Sequence, residues 1–349
     1  MFSSPFSANV ILAKAKAMYG NSLKSGDYIN LLNCRSVSEI AVYLKNNTSY
    51  ASALANINEA TIHRGHLEML LRRKLFNDYA ALARYDETVG LKMSDYVIRR
   101  AEIEMIISCL RLMSAGRASE FFFSMPMFFS SRTHLDLAKM SRSKTYAQLL
   151  NAMRHTIYHD ILEKYPPEED GKIRLTEIET ALYTRLTQIV YKIIENQRGS
   201  SRGELKGLYG TNVDVQNVTR ILRLKRFFNA DPDFIRKNLL PFGHIISEKA
   251  MESMINAPNG EAVMEIFLST PVGRRIPESQ RAFTYDLHQR APYFAARRYM
   301  HYSIHPAVVM LSYIYITDVE IDDIINIIEG VRYGLQPEQI KPMLVLANY

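Results

Sequence analysis

The chain has 349 residues, 47% of them hydrophobic and 23% charged, which excludes a disordered chain and leaves ample material for a buried core. Only 15 glycines and 13 prolines punctuate it, too few for a turn-rich β-protein of this length. The formal charge of +7 comes from 43 basic and 36 acidic residues interleaved along the chain, so no concentrated basic face marks a nucleic-acid binder.

The N-terminal "MFSSPFSANVILAKAKAM" is not read as a leader, because its apolar run, Val10 to Leu12, is too short and no charged region precedes it. Arg35 to Leu54, "RSVSEIAVYLKNNTSYASAL", reads as a small helix, a polar turn and a second helix. Glu59 to Arg84 follows a helical period through Leu67, Leu70, Leu71, Leu75, Tyr79 and Leu82. Tyr96 to Ser114 does so through Ile103, Ile106, Ile107, Leu110 and Met113. The most apolar patch, "EFFFSMPMFFSS", places Phe121 to Phe129 in a linker expected to tuck into a core. It is broken by Pro126 and, like every other apolar stretch, falls short of the ~20 residues that span a bilayer.

Arg142 to Leu162 repeats the small-helix pattern of Arg35 to Leu54. "KYPPEEDGK", Lys164 to Lys172, is a loop in which Pro166 and Pro167 stop a helix. Arg174 to Asn196 is helical through Leu175, Ile178, Leu182, Ile189, Val190 and Ile193. Asn196 to Asn212 holds Gly199, Gly203, Gly207 and Gly210 and is expected to be a flexible loop or hinge. Ile246 to Phe267 has the small-helix pattern for a third time.

Three further segments align without gaps: "EIEMIISCLRLMSAG" from Glu102, "NVTRILRLKRFFNA" from Asn217 and "DIINIIEGVRYGLQ" from Asp323. Their starts lie roughly 110 residues apart, and Arg111, Arg226 and Arg332 fall at matching places in their tails. The expectation is three helical repeats, over 1–118, 119–230 and 231–349.

Catalytic grammar is hard to find. No G-x-x-x-x-G-K-[ST] is present to cradle a phosphate. His155 with His159, and His301 with His305, have the i, i+4 spacing of zinc ligands but no H-E-x-x-H and no cysteine partner. Glu168, Glu169 and Asp170 crowd one solvated loop, unlike a separated acid–base pair. Cys34 and Cys109 are far apart and read as packing residues of a reducing compartment. The basic doublets, such as Arg72-Arg73 and Arg297-Arg298, read as helix flanks. We therefore expect no catalytic residue, metal or cofactor.

"AKAKAMYGNSLKSGDYINLLNCRSVSEIAVYLKNNTSYA" resembles the N-terminal segment of the family formed by the V-type ATPase d subunit and the A/V-type ATP synthase C subunit, through Asp27-Tyr28, Leu31-Leu32, Ser36 to Ile40, Tyr43 to Lys45, Thr48 and Tyr50. "VEIDDIINIIEGVRYGLQPEQIKPML" is similar to its closing region, through Glu320, Asp323-Ile324, Ile327, Gly334, Leu335, Pro337 and Glu338. Asp214, Asn217 and Arg223 match its middle. "LLPFGHIIS", with Phe242 beside Gly243, departs from a Gly-rich turn common in the family, and the Phe121–Phe129 patch has no counterpart.

The resemblance implies an all-α protein of three helical units around a pseudo-threefold axis, a funnel with a central opening. It implies a non-catalytic central-stalk adaptor of a rotary ATPase that couples ATP turnover to proton or sodium-ion transport. The implied partners are the D- and F-type axle subunits and the proteolipid rotor ring. The protein would be a monomer in a hetero-oligomer, peripheral on the cytoplasmic face of the membrane and binding no nucleic acid. Arg111, Arg226 and Arg332 are the candidate axle contacts. The runner-up reading is a generic helical-repeat scaffold for soluble partners.

Overall fold

The structure, a computed structural model, describes residues 5–59, 61–89, 93–121, 133–276 and 287–346. Among the described residues every regular element is an α-helix or a short 3₁₀ turn. In chain order these helices are α1 (Pro5–Gly20), α2 (Ser25–Leu32), α3 (Val37–Asn47), α4 (Arg64–Val89) and α5 (Ser94–Ser114). There follow α6 (Leu137–Arg142), α7 (Tyr146–Ala152), α8 (His159–Lys164), α9 (Leu175–Glu195), α10 (Ser200–Phe228) and α11 (Pro232–Lys237). The last are α12 (Glu248–Ile255), α13 (Gly260–Ser269), α14 (Leu287–Tyr302), α15 (Pro306–Arg332) and α16 (Pro337–Ile340). The all-α expectation holds.

The described chain divides into two compact units. Unit 1 comprises Met1–Leu91, Asn196–Asn229 and Gly243–Tyr349; unit 2 comprises Lys92–Glu195 and Ala230–Phe242.

Three pairs of short helices recur, α2–α3 and α12–α13 in unit 1 and α6–α7 in unit 2, each with caps written in its sequence. Ser36, Thr145 and Asn259 accept a hydrogen bond from the backbone N–H three residues on, opening α3, α7 and α13. Before α3 and α7 the preceding N–H is satisfied by a side chain of the first turn, Arg35 donating to Glu39 and Lys144 to Gln148. Before α13 that place is Pro258, which has no N–H to satisfy.

In unit 1, α15 packs against α14, α1, α4 and α10, and it also touches α2 and α3. It is apolar nearly all round, as a helix at the centre of a core must be. Leu31, Ile40, Leu44, Leu67 and Leu71 meet Ile324, Ile327 and Ile328 of α15 in one buried cluster. Unit 2 is built on the packing of α5 against α9, with α7 and α8 alongside.

The expected hinge at Asn196 to Asn212 is not a loop beyond Gly199. Ser200 onward is the first half of α10, and Tyr209, Gly210, Thr211 and Asn212 are buried. Gly207 serves close packing there. A Cβ on Gly207 would sit 2.8 Å from the Tyr299 hydroxyl of α14, so only glycine allows this approach. Of the four, Gly199 alone has the positive φ (60°) of a chain break. Of the Phe121–Phe129 patch, Phe121 is buried and the remainder lies outside the described residues. No described helix is long and apolar enough to cross a membrane.

Candidate functional site

The most unusual chemistry lies inside the helices, in carboxylates with no access to solvent. Burying a carboxylate is costly unless its oxygens are satisfied. Here backbone N–H groups at the entry of each short-helix pair satisfy them, joined in two of the three by a tyrosine at the exit.

Glu320 of α15 is 2% exposed. Its Oε2 accepts the Leu23 N–H at 2.8 Å and its Oε1 accepts the Tyr50 hydroxyl at 2.8 Å. Leu23 leads into α2 and Tyr50 follows α3, so one carboxylate grips both ends of the pair. The Lys74 ammonium lies 4.9 Å from the Tyr50 ring centroid and pairs with Asp78 at 2.6 Å. Tyr313 also donates to Asp78. Burial pushes the Glu320 carboxyl above the usual range, while Tyr50 and the Leu23 N–H pull the other way.

Glu102 of α5 does the same in unit 2. Its Oε1 accepts the His134 N–H at 2.6 Å and the Thr133 hydroxyl at 2.9 Å, and its Oε2 accepts the Tyr158 hydroxyl at 2.6 Å. His134 leads towards α6 and Tyr158 follows α7.

The third clamp differs. Asp214 of α10 accepts on Oδ2 the N–H groups of His244, Ile245 and Ile246 before α12, at 3.2, 2.7 and 3.0 Å. Its Oδ1 is buried without a hydrogen-bond partner. Tyr50 and Tyr158 each stand two residues after a threonine, Thr48 and Thr156, that accepts the tyrosine's N–H. The residue two after Thr270 is Val272, 1% exposed and with no hydroxyl to offer. A Cβ on Gly243 would fall 2.2 Å from Oδ1, so this backbone approaches because it is glycine. Burial raises the Asp214 carboxyl, against the pull of the three N–H groups.

One turn after Glu320, Asp323 holds the closing segment through the N–H groups of Val345 and Leu346. Burial pushes its carboxyl up to about 7, against those N–H groups and the nearby Arg290 guanidinium.

The three candidate arginines lie at the C-terminal ends of the clamp-bearing helices, Arg111 in unit 2 and the other two in unit 1. Each engages a different carboxylate. Arg111 pairs with Glu179 at 3.3 Å, Arg226 with Glu261 at 3.6 Å and Arg332 with Glu329 at 3.4 Å. Beside two of them the chain exposes large apolar rings: Phe227 and Phe228 after Arg226, and Tyr333 after Arg332. Basic groups at a helix C-terminus are favoured by the dipole, and exposed rings beside arginine are the composition of protein contact surfaces.

Of the spaced histidines, His301 closes α14 and His305 precedes α15, so that pair does not share one helix. His159 of α8 lies within ligand distance of Asp160 and Glu163, on an exposed turn. The Cys109 thiol is pushed up to about 12 by burial, which suits a packing residue.

The sequence profile of the ATP synthase (C/AC39) subunit family matches residues 11–343. The chain belongs to that family. The C subunit of the A-type ATP synthase of Methanosarcina mazei is 23% identical over 96% of this chain and 92% of its own length. That of Archaeoglobus fulgidus is 22% identical over 96% and 95%, and that of Methanococcoides burtonii 23% identical over 73% and 70%. This C/AC39 chain is thus similar to ATP synthase subunits along almost its full length, and the resemblance read from its two ends holds.

Sequence reasoning missed the clamps as clamps. The ungapped alignment set Asn217 and Asp323 beside Glu102, whereas the acceptors doing the same work are Asp214 and Glu320, one turn earlier. The signal present was a carboxylate inside an apolar helical run, "NVDVQNV" and "DVEIDDI". Nothing in the chain says which distant loop such a group will hold.

Proposed function

We propose that this C/AC39 chain is a non-catalytic central-stalk adaptor of an A/V-type rotary ATPase. It joins the D- and F-type axle subunits to the proteolipid rotor ring on the cytoplasmic face of the membrane. It transmits torque between ATP turnover and proton or sodium-ion transport. Three similar helical units, over 1–118, 119–230 and 231–349 around a pseudo-threefold axis, would form the socket, and the protein acts as a monomer within the larger assembly.

The observation that carries this reading is the recurrent carboxylate clamp. Three short-helix pairs begin about 110 residues apart, at Ser25, Leu137 and Glu248, and each is fastened to a long helix from inside. A torque-bearing part must not yield, and buried hydrogen bonds fix geometry more sharply than apolar contact alone. The helix-end arginines with their exposed rings supply a polar, reversible surface for the axle.

Mixing the purified chain with an axle subcomplex and following size-exclusion chromatography tests the reading. Co-elution at one-to-one is expected, and Arg226→Ala with Arg332→Ala should weaken it. Separate elution at micromolar concentrations, in the presence of the ring as well, would overturn it.

A further inference from the structure

The end of unit 1 opposite the helix tails has a composition of its own. α10 and α15 begin side by side there, with the Ser200 hydroxyl 2.8 Å from the His305 ring. Both helices run about 40 Å or more from that point to the arginines already described. α1 joins the same end, where Lys16 donates to the Ser303 carbonyl and Tyr19 meets the His301 ring edge-on at 5.7 Å.

At its tip, where α14 ends and the short link to α15 begins, Tyr302 is 82% exposed and Ile304 is 74% exposed. Ser303 between them is buried, its hydroxyl donating to Glu204 at 2.6 Å, so the link is anchored while the two large side chains on either side of it are exposed. Around the tip, Lys16, Arg198, Arg202 and Arg298 are exposed. The carboxylate among these contacts, Glu204, is turned inward to Ser303 and His305.

We propose that this end of unit 1 is a docking surface for anionic phospholipid headgroups. It extends the adaptor reading and does not depend on it. The two protruding side chains make a small apolar contact set in a basic surround, unlike the broad apolar centre of a specific protein interface. They do suit the headgroup layer, where a tyrosine sits with its ring in the apolar boundary and its hydroxyl in water. The surrounding basic groups supply the attraction, each worth about fivefold in affinity at an anionic surface and weakened by salt. The surface gives the adaptor a footing on lipid at one end of helices whose other end carries the proposed axle contacts.

Sedimentation of the purified full chain with vesicles tests this, comparing phosphatidylcholine alone with a mixture containing about one-third phosphatidylglycerol. The expected result is retention by the anionic vesicles at low salt, loss of it at high salt, and little binding to the neutral ones. Lys16→Gln with Arg298→Gln should weaken anionic binding about 25-fold. Tyr302→Ser with Ile304→Ser should weaken it while leaving the salt dependence in place. All four positions are exposed, so an unchanged circular dichroism spectrum separates lost binding from lost fold. Absence of retention on anionic vesicles would overturn the proposal, as would retention that neither pair of substitutions changes. Capture by a detergent-solubilised proteolipid ring without any vesicle binding would overturn it in favour of a protein surface. Axle co-elution is read separately, so failure here leaves the adaptor reading standing.

Discussion

The Glu320 and Asp214 clamps sit in the same unit and solve the same problem with different parts. Glu320 reaches one N–H and one tyrosine hydroxyl, filling both oxygens. Asp214 is one methylene shorter, collects three N–H groups on one oxygen and leaves the other with no donor. In place of a tyrosine there is Val272, and Gly243 lets backbone close over the idle oxygen. The fold therefore requires the carboxylate and the loop N–H groups. The tyrosine is a refinement that two clamps have and one lacks.

The hardest way to break this comparison is to remove the acceptor. Glu320→Ala would strand the Leu23 N–H and the Tyr50 hydroxyl in the core, and we expect unit 1 to lose about 3–5 kcal/mol. Urea unfolding measures it; a loss below about 1 kcal/mol would mean the groups find water instead. Gly243→Ala should come next, at about 2–3 kcal/mol, because its Cβ would overlap Asp214 Oδ1 and the loop must shift. No comparable penalty is expected at Gly203, where an added Cβ meets nothing within 4 Å.

Titration sharpens the contrast in another way. Asp323, up to about 7, and Glu320 and Asp214, both raised, hold their protons more tightly folded than unfolded. The contribution of Asp323 to stability is therefore fully present below pH about 4 and is lost as pH rises through about 7; those of Glu320 and Asp214 fall with rising pH in the same direction, the reverse of an ordinary salt-bridged carboxylate. For Asp323 the fall between pH 5 and pH 8 should be about 2 kcal/mol. Urea midpoints at the two pH values check it, and Asp323→Asn should flatten the slope; equal slopes in both proteins would refute the assignment.

Tyr50→Phe and Tyr158→Phe should each cost about 1–2 kcal/mol, placing those clamps in the state Asp214 already occupies. The smallest effect is expected at Arg111→Ala, whose exposed pair with Glu179 should contribute less than about 0.5 kcal/mol to stability. Its consequence should be read in axle affinity, where no change would remove it from the contact surface.

How much of this was legible depended on range. Helix identity was readable because the apolar period of Leu67 to Leu82 or Ile103 to Met113 is a local property. The caps Ser36, Thr145 and Asn259 are equally local, each accepting from an N–H three residues on, but were not singled out from the sequence. Asn196 to Asn212 misled because glycine's poor helix propensity is a per-residue preference, overridden once α10 packs closely against α14. The clamps were hidden for a different reason. Glu320 and Leu23 are 297 positions apart, and no pattern within either segment names the other. The family resemblance marked Asp214, Glu320 and Tyr50 as places to notice without saying what they do.

That separation also sets an order of events during synthesis. At roughly 5–20 residues per second, a ribosome needs about 15–60 s to travel from Leu23 to Glu320. Throughout that interval α2, α3 and the start of α4 have apolar faces and no α15 to cover them. Most of unit 2, encoded in between, has all its clamp partners by Tyr158 and can close long before. The nascent chain is therefore a finished middle flanked by an unsatisfied beginning, the kind of surface that holding chaperones recognise.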